Sequence, residues 1–468
     1  MASASSKSRP SSAQVSFQER SLIPVGMATI LPHAAKQVRH LESLLLSQIG
    51  RWGYDEIILP TFEYLDVLAP GLEAELLETC YQFVDRTTGR TLLLRPDATA
   101  QVARTVAMGL VGQTLPQRLS YRTSVFRYEP EHAGRGREIF QIGAEFIGVE
   151  DVSGDHEVLT MLVECLQAIG LRSFTIALGH VGFIKGLMRR SGLSPQSQKR
   201  AEQAAARKDL PRLEEILAEA RVAKAAARAI REATELAGRE EVLARAKVLA
   251  AGEPLLEAPL ERLSQLYQSL CSAGYEDLLL LDLGEFRGFD YYDGAVFDVF
   301  APGVGTELGG GGRYDHLIGR FGRELPSTGF ALDMDRLFHA LNFSDDTDGS
   351  VRIDYLVIGP RRAARLVSEV ASRLRRGHRR VTQESLKGGD DALIEHAIVA
   401  GQAQRAGTVV LVGMPGQDRE EVMLIEPLQS RVESRRNGRA HRPTSKKISL
   451  AALVKAASSS CRPAKGRS

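Results

Sequence analysis

The chain has 468 residues, 43% hydrophobic and 25% charged, with a net charge of +2; this allows two or three globular domains and excludes a fibrous or low-complexity chain. Near neutrality gives no molecule-wide field for polyanions, and no apolar run reaches the ~18 residues of a membrane span. Cys80, Cys165, Cys271 and Cys461 are scattered with no C-x-x-C pair; metal-ligand spacing is absent, and the pattern argues against a disulfide framework and for free thiols in a reducing cytoplasm.

Residues 1–19 are Ser-rich without the apolar stretch of a signal peptide and read as a disordered tail. From Pro32 to Trp52 apolar residues recur at helical spacing. "YDEIILPTFEYLDVL" reads as a strand ended by proline and a short following segment. "YQFVDRTTGRTLLLRPDAT" carries two alternating runs around a turn, a hairpin signature. "ATAQVARTVAMGLV" is helical, and "RLSYRTSVFRYEPEHAGRGREIFQIGAEFIG" is a second strand pair around a polar loop. "DHEVLTMLVECLQAIGL" is a helix ended by glycine, and "SFTIALGH" a strand.

Residues 195–262 turn rich in Ala, Glu, Arg and Lys and read as a helical insertion whose charges form a solvated face. "LLLLDLGEFRGFDYYDGAVFDVFAP" returns to strands, so the expected core is α+β: an antiparallel sheet flanked by helices, over 20–345. From 351 to 427 strand and helix alternate, which predicts a small α/β domain with a parallel sheet. Residues 428–468 read as a basic tail; Arg431 to Arg467 hold eleven Lys and Arg against Glu433 alone.

Four stretches concentrate chemistry-bearing side chains. "LLLRPDATAQVAR" carries Arg95, Asp97 and Thr99, and "FRYEPEHAGRGREIFQIGAE" carries Arg127, Gln141 and Glu145, the last two on one strand face. "FRGFDYYDGAVF" carries Arg287, Tyr291 and Tyr292, and a glycine run ends in Arg313 and Tyr314. Together they suit a small zwitterion: carboxylates and hydroxyls for an ammonium, an arginine fork for a carboxylate, tyrosines and a glutamate for a ring N–H. Singly each has a plainer reading. Asp97 or Thr99 can cap a helix, "DYY" can be core, and the glycine run, with no G-K-[ST] and no helix after it, can serve close packing. "TGFALDMDRL" suggests a strand feeding a helix beside a pocket, with Arg336 available for an anion and Asp333 lining the same corner.

In this order, "LRPDATAQVAR", "FRYEPEHAGRGREIFQIGAE", "RGFDYYDGAVF", "GGGRYD" and "GFALDMDRL" resemble the successive motifs of histidyl-tRNA synthetases, a class II synthetase family, from about Ile23 to Leu341. The 351–427 segment resembles a reduced anticodon-binding domain. "GHVGF", "RFGRELPSTGFALDMDRL" and Asp97 in place of the usual glutamate resemble the regulatory-subunit branch, the ATP phosphoribosyltransferase regulatory subunits.

The resemblance implies a histidine-binding set of Asp97, Thr99, Arg127, Gln141, Glu145, Arg287, Tyr291, Tyr292 and Tyr314. Asp97, Thr99 and Gln141 would hold the α-ammonium, Glu145 and Tyr292 the imidazole, and Arg287 the carboxylate. Arg127 and Arg336 match residues that handle ATP phosphates, or form structural ion pairs here; Arg287 matches a catalytic arginine. Asp333 stands where the synthetases have glycine, and Ile139 where they stack an aromatic on adenine. Two like charges about 4 Å apart repel by roughly 4 kcal/mol at an effective dielectric of ~20.

The implied protein is a non-catalytic regulatory subunit of a glycosyltransferase complex, with no catalytic residue, metal or cofactor of its own. Its partner would be a short-form ATP phosphoribosyltransferase catalytic subunit, in a hetero-octamer within which this chain self-associates as a dimer. L-Histidine would be its ligand and feedback inhibitor. The alternatives are a histidine–tRNA ligase and an RNA-binding paralog using the basic 431–467 stretch, which lacks interleaved aromatics for stacking.

Overall fold

The computed structural model describes residues 23–24, 26–128, 136–285, 291–341, 353–387, 390–426 and 445–459. The tail expected over 1–19 lies outside them. Two compact units divide the chain, Met1–Ser344 and Asp345–Ser468.

The first unit contains β1 (Asp55–Glu56), β2 (Phe62–Tyr64), β3 (Gln82–Val84), β4 (Thr91–Leu94), β5 (Gln117–Phe126), β6 (Glu138–Ile147), β7 (Thr175–His180), β8 (Ala237–Gly238), β9 (Leu279–Asp282), β10 (Ala295–Phe300), β11 (Gly309–Arg313) and β12 (Ser327–Asp333). Nine of them form one sheet in the order β1-β5-β6-β12-β11-β10-β7-β9-β8; β2, β4 and β3 form a small second one. In the large sheet only β1 with β5 and β7 with β9 run parallel. The hairpin around "RTTGR" forms as β3 and β4, with Phe83 opposite Leu92.

Period-two alternation sorts the sheet's two faces. On β6, Ile142, Ala144 and Phe146 join one core with helices Pro32–Arg51 and Val152–Ala168. Gln141, Gly143 and Glu145 therefore point to the opposite face. On the first helix Val38, Leu41, Leu45 and Ile49 form the buried stripe. Glu42 is buried beside them and is paired with Arg39 at 2.7 Å and Arg122 at 3.0 Å.

The helical insertion is more than a solvated appendage. Its helices Pro195–Ala206, Leu210–Glu219, Lys224–Glu235, Glu241–Ala250 and Pro254–Ser272 run past 262. They contribute Ala201, Leu213, Ile216, Ile230 and Leu263 to the main core. Exposed pairs such as Arg200–Glu219 and Arg231–Glu214 lace its outer face.

The second unit is a five-stranded sheet of β13 (Ile353–Pro360), β14 (Val381–Leu386), β15 (Ala406–Leu411), β16 (Glu421–Ile425) and β17 (Ser445–Ser449), ordered β14-β13-β15-β16-β17. The first three are parallel, as the alternating pattern predicts. Helix Ala364–Arg376 packs on one face and helix Asp390–Ala403 on the other.

The basic tail expected over 428–468 needs correction. Residues 445–449 extend the sheet antiparallel to β16, and helix Leu450–Ser459 buries Leu450, Leu453 and Ala457 in the core beneath Ala364–Arg376. Three buried apolar residues at helical spacing suffice for docking, despite the surrounding charge. Among the described residues no helix is long and apolar enough to cross a membrane.

Candidate functional site

The sheet face left open by the helices floors a cleft of about 1670 Å³ within the first unit, larger than the ~300–1,000 Å³ usual for a small-molecule site. Strand register decides what meets there. Gly329 lies opposite Glu145 and Asp333 opposite Gln141 on β12 and β6; Gly312 lies opposite Gly329 on β11. The glycine run is therefore a central, buried strand. A Cβ on Gly329 would fall 1.8 Å from the Glu145 Oε2, and one on Gly311 1.9 Å from the Gly329 carbonyl oxygen. Glycines leave the room in which the Glu145 side chain lies.

Glu145 is buried and held by three hydroxyls. Thr99 Oγ1 and Tyr121 OH donate to Oε1 at 2.8 and 3.3 Å, and Tyr314 OH donates to Oε2 at 2.5 Å. Burial lifts the Glu145 carboxyl to about 8 against the pull of these hydrogen bonds. Burial also pushes the Tyr121, Tyr291 and Tyr314 hydroxyls well above their ordinary range, so all three stay protonated. Each can donate to a carboxylate while accepting an N–H from a ligand.

Tyr291 and Tyr292 pack at 4.7 Å, and Tyr314 meets them edge-on at 5.9 and 6.5 Å. Asp97 does two jobs. Its Oδ1 accepts from the Ala100 amide at 3.0 Å and caps helix Ala98–Ala107; its Oδ2 accepts from Tyr291 OH at 3.2 Å. Of the two capping candidates it is Asp97 that caps. Arg95, from the same stretch, is structural: it donates to the carbonyls of Leu59, Pro60 and Ser124.

The corner at "GFALDMDRL" is a strand feeding a helix, but Arg336 is not available as expected. Its Nη1 donates to the Glu307 carboxylate and carbonyl, each at 2.6 Å, and its Nε lies 3.1 Å from Asp333 Oδ2. Asp333 Oδ1 caps helix Met334–Ala340 through the Asp335 and Arg336 amides. Burial raises the Asp333 carboxyl, with Arg336 opposing. Among the described residues twelve Asp and Glu line the cleft against four Arg and Lys, and with Glu145 and Glu285 protonated the balance is still negative, which opposes a triphosphate.

Asp97, Thr99, Arg127, Gln141, Glu145, Tyr291, Tyr292 and Tyr314 all line this one cleft. Arg127 Nε donates to the Pro96 carbonyl at 2.8 Å. Tyr314, Thr99 and Tyr121 hold Glu145, while Tyr292 packs tilted against Tyr291. Arg287 lies outside the described residues.

Tyr121 escaped sequence reasoning. Its signal was Gly143 directly opposite on the hairpin, where a Cβ would fall 2.4 Å from the Tyr121 hydroxyl. An acidic end of the cleft was also missed. Burial lifts Glu285 to about 8, with Asp298 adding to the rise, and Lys208 grips Asp282 nearby.

This mostly antiparallel sheet, glycine-lined cleft and buried tyrosine–glutamate group define a histidyl-tRNA synthetase-like protein of class II synthetase fold. A family model described as Histidyl-tRNA synthetase matches residues 26–337. A histidyl-tRNA synthetase structure from Nostoc sp. has a TM-score of 0.70 at 18% identity over 94% of this chain and 99% of its own, which concerns the fold alone.

Within that class the chain belongs to the ATP phosphoribosyltransferase regulatory subunit family. A relative of that name from Geobacter sulfurreducens is 36% identical over 375 residues, covering 80% of this chain and 85% of the relative. One from Moorella thermoacetica is 40% identical over 344 residues, 74% of this chain and 87% of the relative. A Bacillus halodurans structure described as an ATP phosphoribosyltransferase regulatory subunit/histidyl-tRNA synthetase has a TM-score of 0.73 at 27% identity, over 86% of this chain and 99% of its own.

Proposed function

We propose that this chain is the non-catalytic regulatory subunit of an ATP phosphoribosyltransferase, acting with a short-form catalytic subunit at the first step of histidine biosynthesis. L-Histidine bound in the Glu145 cleft signals feedback inhibition. One observation carries the reading: the buried Glu145, held by three hydroxyls, shares its cleft with a corner whose arginine, Arg336, is already paired with Glu307 and Asp333.

In this reading the α-ammonium meets Asp97, Thr99 and Gln141, and the imidazole N–H meets Glu145 or the Tyr314 hydroxyl. Arg127 and Arg287 complete the set, with Tyr291 and Tyr292 as its wall. Histidine is gripped but not activated, because the acidic cleft disfavours the triphosphate. The complex is a cytoplasmic hetero-octamer in which this chain forms dimers.

The test is co-purification with a short catalytic subunit, then phosphoribosyl transfer with and without histidine. Activity that requires this chain and falls with histidine is expected. Glu145→Ala should weaken histidine binding about fivefold to tenfold, the loss of one buried hydrogen bond, with the fold intact. An inhibition unchanged by Glu145→Ala refutes the site. The family-model match over 26–337 favours one second reading, a histidine–tRNA ligase. Histidine-dependent ATP–pyrophosphate exchange by the purified chain would establish it; none is expected.

A further inference from the structure

A wide cleft needs an entrance, and two elements far apart in sequence meet at this one. One lip is the short helix Ala74–Glu78, with Glu73, Glu75, Leu76, Glu78 and Thr79 lining the cleft around it. It is thinly held. None of its five residues is buried, and Leu76 and Leu77 only lean on the small cluster of Leu68, Leu72, Leu93 and Ala100. The other lip is helix Pro195–Ala206 of the insertion, where Gln203, Ala206, Arg207 and Lys208 line the cleft.

This second lip is firmly anchored. Ala201, Ala204 and Ala205 lie in the main core. Just past its end Lys208 adopts φ 53°, a left-handed conformation unusual for a residue with a side chain. Such an outlier persists where its surroundings fix it, and here they do. The Lys208 ammonium grips both Asp282 oxygens at 2.9 and 3.0 Å and the Thr234 carbonyl at 3.1 Å. One lip thus rests on the main core, the other on a small cluster and on the Tyr128 amide, which donates to the Thr79 carbonyl at 2.8 Å.

Glu75 joins the two lips. Glu75 Oε1 accepts from Gln203 Nε2 and lies 3.6 Å from Lys199 Nζ. The Lys199 and Glu75 side chains are 46% and 54% exposed, so water and salt compete for the contact.

We propose that Ala74–Glu78 is a flap over the cleft, with Glu75 as its catch and Lys199 and Gln203 of the insertion as its keeper. The insertion then sets how fast the ligand of the Glu145 pocket enters and leaves. The kinetic part rests on the histidine reading; the catch itself does not. Because the contact lies at the mouth and away from Glu145, breaking it speeds entry and exit together and leaves affinity nearly unchanged.

The test uses the full chain with Glu75→Lys, which sets like charges against Lys199, and the double variant Glu75→Lys with Lys199→Glu, which reverses the pair. Histidine binding is followed by stopped-flow tyrosine fluorescence, and hydrogen exchange of the 72–80 amides is measured without ligand. In Glu75→Lys both rate constants should rise about threefold to fivefold, the population change that losing one exposed charge pair allows. The 72–80 amides should exchange faster, and the reversed pair should restore both.

Wild-type rates and exchange in Glu75→Lys overturn the proposal, as does a reversed pair that restores neither. A wild-type chain that takes up no histidine refutes the histidine reading; the flap is then decided by the exchange of 72–80 in the two variants alone.

Discussion

Replacing Glu145 by Gln tests whether the centre of the cleft holds a proton near neutrality. Burial raises the Glu145 carboxyl to about 8 from an ordinary 4.5. Between those values the folded chain keeps a proton that the unfolded chain has released. Stability is therefore full below 4.5, falls as pH rises through the window and is flat above 8. The slope is about 1.4 kcal/mol per pH unit, so ~4 kcal/mol separates pH 5 from pH 8 for this group. Glutamine keeps the shape but cannot ionise, and its oxygen still accepts from Thr99 and Tyr121. Urea unfolding of both chains at pH 5, 6, 7 and 8 isolates the effect, since every other titrating group cancels in the difference. Glu145→Gln should gain on the wild type by roughly the slope above for each pH unit. Parallel curves would refute the buried, proton-holding carboxyl.

Tyr314→Phe removes the donor to Glu145 Oε2 and should cost about 1 kcal/mol in urea unfolding at neutral pH, while weakening histidine binding. Arg313→Ala removes the nearer of the two guanidinium partners of the buried Asp155, leaving Arg262 at 3.8 Å; thermal unfolding should show a loss of about 3 kcal/mol, partly recovered by Arg313→Met with Asp155→Leu. Gly329→Ala drives a Cβ to 1.8 Å from Glu145 Oε2 and 2.5 Å from the Ala144 carbonyl. It should cost about 1–3 kcal/mol or more and abolish histidine binding measured by calorimetry. Asp333→Gly releases Arg336 Nε and should raise ATP affinity about tenfold by removing one like charge, again read by calorimetry.

Elements with a clear period were legible in the sequence. The first helix, both hairpins and the α/β alternation after 351 follow from spacing and turn residues. The glycine run, ambiguous alone, is a strand because its neighbours demand close approach, and only register reveals that Gly311 faces the Gly329 carbonyl. Tyr121 was illegible as a site residue for the same reason: its approach to Glu145 depends on cross-strand pairing. Arg336 misled because a side chain's partner is a long-range fact; Glu307 lies 29 residues away. The helix at 450–459 was hidden by the basic residues around it, since composition averages over a segment while docking needs only a few apolar side chains on one face.

Register also explains how two ends of one cleft can behave independently. Asp333 stands opposite Gln141 and Gly329 opposite Glu145, so the two sites lie four residues apart along β6, about 13 Å at ~3.3 Å per residue. Both carboxyls are buried, so salt screens them little; distance and local partners separate them, and the charge that adds to the rise of Glu145 is Asp97. Asp333 spends its charge locally, on the Arg336 guanidinium and two helix amides. Glu145 is governed instead by its own burial, three hydroxyls and the neighbouring Asp97. A carboxylate can therefore oppose a nucleotide at one end without disturbing an amino-acid pocket at the other. The same argument requires Asp333→Gly to leave the pH dependence contributed by Glu145 unaltered. A shift in that dependence on removing Asp333 would mean that the two ends share one electrostatic environment, and the separation would fail.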